Sequence, residues 1–323
     1  MRIHPHHLGF LAATLVVVNT AGCGATGDTP PITMRVSVQG SPATQRVDGA
    51  VGASVPAATD STTRLRFESA MKWATTDSIA QLGFGDIVQR IGERFVGTSY
   101  VGGLLDASEE EVLVVDLDEF DCVLFVESVL SMAQGVAAGD TTFDGFVARL
   151  ERLRYRDGRL DGYCSRLHYF SEWIHDNEEK GLVHNVTLAL GGLRAAGDLD
   201  FMSANRDLYA RFVEDDSLYL GIRQMEASIA SLDRWYIPQE RIRSIYPLLQ
   251  SGDIIAIATT VEGLDVSHSG FAYERPDGNV GLLHASTSSG VTIDDDLADY
   301  VIANRTTMGI VVARPADARM PYD

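Results

Sequence analysis

A chain of 323 residues, 45% apolar and 22% charged, falls in the globular range and can bury a substantial core, with room for one large or two ordinary domains. Its formal net charge of −19 argues against nucleic acid or another polyanion as partner, since no basic face is present to neutralise phosphates. The acidic clusters SEEE, EDD and DDD read as a solvated exterior.

The chain opens with MRIHPHHLGFLAATLVVVNTAGCG, a basic start, an apolar run from Leu8 to Val18 and then small residues. That order predicts a signal peptide over residues 1–23 and export to the periplasm or cell envelope; the run is too short to span a bilayer. Cys23 follows Thr20-Ala21-Gly22, which resembles a bacterial lipoprotein processing site whose cysteine carries the lipid, although Thr20 stands where Leu is usual. Plain export is the alternative, and any membrane attachment would run through that lipid. Residues 24–75, rich in Thr, Pro, Gly, Ala, Ser and Val, predict a flexible linker or N-terminal extension. A single domain then covers 76–323.

Within it, Phe84, Ile87, Val88, Ile91 and Phe95 recur at helical spacing and stop before Gly97. EVLVVDLDEF reads as extended. DCVLFVESVLSMAQGVA is apolar on nearly every face for two turns, which predicts a helix inside the core. Phe143, Phe146, Val147, Leu150 and Leu153 mark another helix, and Leu167, Phe170, Trp173 and Ile174 one more. From residue 252 the period changes to short β-rich runs, GDIIAIATT, SHSGFAYE, GLLHAS and GIVVARP, punctuated by turns such as RPDGN. Helices followed by a strand meander define an α+β class.

Three cysteines are present, and neither a CxxC pair nor an HExxH helix accompanies them, so no metal site and no cofactor is expected. Cys122 falls in the first turn of the apolar helix, where unpaired N–H groups and the helix dipole favour a thiolate. Asp118, Glu119 and Asp121 oppose ionisation by like charge, so an imidazole is needed to tip the balance. Without one, an inert core cysteine is the better reading. His268 lies at the start of one predicted strand and His284 on the next. If RPDGN forms a five-residue loop, Glu274 pairs with Val280, His284 falls opposite Gly270, and the two histidines become diagonal neighbours on one face. One ring could then take the thiol proton while the other orients it. A loop shorter by one residue would separate them. Cys164 in GYCSR reads as a packed small residue, and Trp173, Trp235 and Tyr236 as core aromatics more readily than as sugar platforms.

The motifs GTSYVGG, DEFDC, SGDIIAIATT, SHSGF and LLHASTSSGV, in that order, resemble the NlpC/p60 cysteine hydrolases of bacterial cell walls. The resemblance implies a papain-like core, a nucleophile helix packed on an antiparallel sheet. It assigns Cys122 as nucleophile, His268 as base, His284 as the orienting third member and Tyr100 as an oxyanion- or substrate-binding hydroxyl, with the Cys122 backbone N–H as the other oxyanion donor. Asp121 and Ser267, beside the nucleophile and base, join the substrate-binding candidates. Cys122 and His268 stand 146 positions apart, so a large, mainly helical insertion over about 143–245 is expected. With FDC in place of DCSG, this resembles a longer N-acetylmuramoyl-L-alanine amidase-like branch, from about Gly83 to Pro315. There Arg166, His168 and Tyr169 are candidates for a cleft wall that meets a carboxylate or sugar. The implied substrates are muropeptides, cut between N-acetylmuramic acid and L-alanine. The alternatives are a γ-D-glutamyl–diamino acid endopeptidase of the same superfamily and a non-catalytic muropeptide-binding lipoprotein.

Overall fold

The computed structural model describes residues 57–58 and 61–320. The signal segment, Cys23 and residues 24–56 of the expected linker lie outside the described residues. Strand β1 (Ala57–Ala58) precedes helix α1 (Ser61–Thr76), and α1 corrects the linker boundary. Its buried residues Phe67, Ala70, Met71 and Ala74 follow i, i+3, i+4, i+7 spacing, a stripe that the surrounding Thr, Ser and Arg hide in the average composition. The Phe67 ring stacks on Phe146 at 5.0 Å and meets Phe143 edge-on at 5.3 Å, so α1 belongs to the core.

Helix α2 (Phe84–Glu93) buries Phe84, Ile87, Val88 and Ile91, the predicted stripe. Short strands β2 (Ser99–Tyr100), β3 (Leu113–Val114) and β4 (Glu119–Phe120) follow, β2 pairing parallel with β4. Helix α3 (Cys122–Ala138) is buried almost throughout, and Gly139 closes it in the left-handed conformation at φ 73°. Helix α4 (Phe143–Arg154) starts on Thr142, whose hydroxyl accepts from Gly145 N at 3.1 Å. Helix α5 (Phe170–Glu179) packs beside it.

The insertion is mainly helical, as expected, with α4 and α5 at its start, and it also contributes strands. It holds β5 (Val183–Asn185), β6 (Leu193–Arg194), the short helices α6 (Phe201–Ala204) and α7 (Ala210–Val213), helix α8 (Asp216–Ile229) and β7 (Trp235–Pro238). Strands β8 (Ile254–Thr259), β9 (Val266–Glu274), β10 (Val280–Ser286) and β11 (Gly290–Asp294), helix α9 (Leu297–Ala303) and β12 (Thr307–Pro315) complete the chain. The sheet runs β11-β10-β9-β8-β12-β7-β6, and β5 also pairs with β12, every pairing antiparallel. The insertion therefore extends the main sheet instead of forming a separate body.

Alternation along the strands gives the sheet two buried faces. Ile254, Ala256, Phe271 and Leu283 join the cluster under α2, α3 and α4, while Ile255, Ile257, Ala272 and Leu282 pack on the other side with α9. Tyr163, Tyr169, Met202, Phe212 and Ile222 form a third cluster inside the insertion. No described helix is long and apolar enough to cross a membrane.

Candidate active site

Cys122 is the first residue of α3. Asp121 caps that helix, its carboxylate accepting from Leu124 N at 2.7 Å. Cys122 is fully buried, and its neighbours include polar side chains: Ser269 donates its hydroxyl to the Cys122 carbonyl at 3.1 Å. The carbonyl contact ties the start of α3 to the residue immediately after His268.

Of the three acids upstream, Asp121 bears on the sulfur. Asp118 is held by α1, through Arg66 at 2.6 Å and the Thr63 hydroxyl at 3.1 Å. Burial, then the Asp121 charge, push the Cys122 thiol above its ordinary range, with Ser269 pulling it back in part. Burial also raises the Asp121 carboxyl to about 6, against the Leu124 N–H bond. Desolvation thus opposes the helix dipole expected to favour a thiolate.

The histidine register is the one anticipated. Glu274 pairs with Val280 and Phe271 with Leu283, across a turn closed by Gly278 N to Arg275 O at 3.0 Å. His268 Nε2 and His284 Nδ1 lie 2.5 Å apart, the rings perpendicular at 89°. A bulge lies just ahead of His268. Ala258 pairs with Val266 but Ile257 with His268, so Ser267 is the extra residue. Ser267 is buried beside His268 rather than presented as an exposed substrate contact.

Gly270 makes room for the pair. A Cβ there would stand 2.7 Å from both the His284 Cβ and the Leu283 carbonyl, and the carbonyl is held in the ladder. Gly270→Ala is expected to cost about 1–3 kcal/mol by overpacking, read as a lower thermal midpoint.

Two participants escaped the sequence reading. His284 Nε2 lies 2.7 Å from Asp294 Oδ2 on β11, and Tyr300 on α9 packs at 4.8 Å from the His284 ring and 6.0 Å from His268. Tyr100 on half-buried β2 senses the same sulfur: burial first, then Cys122, Asp121 and Tyr300, push its phenol upward. Its hydroxyl is accordingly a neutral hydrogen-bond donor.

The proposed cleft wall is corrected. Arg166 is buried, donating to Leu105 O at 2.6 Å and Asp106 at 2.5 Å, with Glu111 at 3.6 Å. His168 Nε2 meets Tyr163 O at 2.8 Å, and burial, then the Arg166 charge, hold its imidazole well below the ordinary range. Tyr169 is buried too, donating to Glu226 at 2.8 Å and accepting from Met202 N at 3.1 Å. Arg166 ties the insertion to the 104–111 segment, and His168 and Tyr169 are committed within the insertion. Charged and aromatic side chains met in a loop segment look available until tertiary partners consume them. Cys164 packs against Gly221, where a Cβ would stand 2.7 Å from its sulfur. Trp173 lies flat on Phe170 and donates to Glu127 at 3.1 Å, as a core aromatic. Trp235 and Tyr236 line a separate cavity of about 340 Å³. No cluster suited to a metal ion occurs among the described residues.

The fold and site define a class: an α+β protein that sets a buried cysteine, at the N-terminus of its central helix, against a histidine pair on an antiparallel sheet. Residues 90–310 match the AmiA-like, N-acetylmuramoyl-L-alanine amidase-like family model, and the chain belongs to that family. It is similar to an N-acetylmuramoyl-L-alanine amidase from Bacteroides uniformis, at 31% identity over 72% of this chain and 98% of that one, with a TM-score of 0.68. A putative xylanase from Bacteroides fragilis is 34% identical over 70% and 99% of the two chains, TM-score 0.66. A Legionella pneumophila protein, 22% identical over 78% and 95% of the two chains, TM-score 0.58, shares the fold alone. No curated protein matches in sequence.

Proposed function

We infer that this protein is a cysteine-dependent peptidoglycan hydrolase of the NlpC/p60 type, cutting the amide between N-acetylmuramic acid and L-alanine in muropeptides. The observation that carries the reading is the 2.5 Å His268–His284 contact, on the strand whose Ser269 holds the Cys122 carbonyl. Thiol and imidazole suit acyl transfer, whereas glycoside hydrolysis uses two carboxyl groups astride the bond, so the site favours the amidase over the sugar hydrolase named among its neighbours.

In this reading Cys122 Sγ adds to the amide carbonyl carbon as its proton passes to His268. The Tyr100 hydroxyl donates to the oxyanion. The tetrahedral species collapses, the C–N bond breaks, and the peptide amine leaves with the proton from His268. Water, deprotonated by His268, then hydrolyses the thioester and restores the thiol. Export, with lipid attachment at Cys23, belongs to the same proposal, since it would bring the enzyme to its substrate.

Incubation with a defined muramyl-tetrapeptide, products read by mass, tests it. Free tetrapeptide is the expected product. An L-Ala-D-Glu remnant would move the assignment to the endopeptidase, and tight binding without product to a binding protein. The buried sulfur and the insertion restrict access, so released fragments are expected to turn over faster than intact sacculi; equal rates would count against that restriction.

A further inference from the structure

We propose that Asp294 is a positioning residue: acting through His284, it sets the tautomer of His268 so that Nδ1 is the nitrogen that takes the Cys122 proton. The inference rests on the reading of Cys122 and His268 as nucleophile and base.

The argument is a proton count. A carboxylate offers only acceptors, so the 2.7 Å contact between Asp294 Oδ2 and His284 Nε2 places the proton on Nε2. Neutral His284 then has a bare Nδ1. That nitrogen lies 2.5 Å from His268 Nε2, which must therefore be the donor. His268 is left with its lone pair at Nδ1. Reversing any one of these bonds would protonate Nδ1 and leave the base unable to accept. Once His268 has taken the proton, the positive charge is shared toward a carboxylate that is already in line.

The backbone selects this acid from the DDD run. Leu282 pairs with Asp294 and His284 with Thr292, which makes Asp294 the diagonal neighbour of His284. The β10–β11 turn is fixed at Gly290, at φ +68°, where a Cβ would stand 2.2 Å from the Thr98 carbonyl. Asp295 instead pairs with Arg275 at 2.7 Å, and Asp296 caps α9 by accepting from Asp299 N at 2.8 Å. Three adjacent carboxylates thus have three separate duties, and only the first reaches an imidazole. The Asp294 side chain is 43% exposed, so water shares its work. Its loss should cost roughly 10- to 100-fold, less than the ~10⁴-fold seen for a buried triad carboxylate.

The test uses protein labelled with ¹⁵N-histidine, as wild type, Asp294→Ala, Asp294→Asn and Asp294→Glu. The ring nitrogens should report a protonated Nε2 and bare Nδ1 on both histidines of the wild type. Asp294→Ala should mix or invert these tautomers and lower kcat on the muramyl-tetrapeptide by about 10- to 100-fold with KM little changed; Asp294→Glu should restore part of both. If the alanine variant does not fold, the isosteric Asp294→Asn carries the same comparison. Unchanged ring shifts in a folded variant, or an equal loss in Asp294→Glu and Asp294→Ala, would overturn the proposal. Tautomers that respond in a protein that hydrolyses no muropeptide would leave the relay standing and remove the proposed reaction instead.

Discussion

Cys122→Ala should lower muramyl-tetrapeptide hydrolysis by at least roughly three orders of magnitude, with the thermal midpoint within a few degrees of wild type. The sulfur is the atom that forms the thioester, and neither imidazole can replace it in a two-step transfer. The structural cost is small because Cys122 begins a helix whose cap is the Asp121 side chain, not its own, and the Leu124 N–H bond survives the change. Steady-state rates beside a melting curve separate the two effects. Retention of more than a few per cent of the wild-type rate in a folded Cys122→Ala protein would remove the cysteine from the mechanism and return the family's chemistry to another group.

The largest stability effect is expected deep under the nucleophile helix. Glu127 and Arg154 form an ion pair at 2.6 Å, each side chain 1% exposed, which joins α3 to α4. Trp173 Nε1 donates to Glu127 Oε1 at 3.1 Å, and Arg154 Nη1 donates to Val114 O at 2.6 Å, so the pair links four elements. Removing one partner strands a buried charge and should cost about 3–5 kcal/mol, a fall of about 10 °C in midpoint for Glu127→Ala. Replacing both, as Glu127→Leu with Arg154→Met, should recover much of that loss, because the desolvation cost of both ions disappears together. If the double variant is as unstable as the single one, the contribution lies in the hydrogen bonds to Trp173 and Val114 rather than in the charges.

The acidic composition illustrates how far a chain's chemistry is hidden in its linear order. SEEE and DDD have the composition of solvated surface. Yet Glu111 is buried, accepting from Arg211 at 2.9 Å and from the Tyr155 hydroxyl at 3.0 Å, and Asp294 meets His284. Asp118, expected beside the thiol, is held away by an arginine on α1. Like-charge clustering in sequence says nothing about which carboxylate finds a partner, because partners come from segments 10 to 100 residues away.

What the sequence determined by itself was local and periodic. Apolar spacing placed α2, α3 and α4, the change to period two placed β8, β9, β10 and β12, and the five-residue RPDGN loop fixed the register that aligns His268 with His284. These follow from backbone geometry over a few residues, where alternation and turn length leave little choice. Only the tertiary structure decided which groups were available. It buried Arg166, His168 and Tyr169, docked α1 through Phe67, placed a bulge at Ser267, and brought Asp294 and Tyr300 to the histidine pair. Those outcomes depend on diagonal contacts, a one-residue bulge and the burial of charge by distant chain. Such terms act through space, and no window along the sequence contains them.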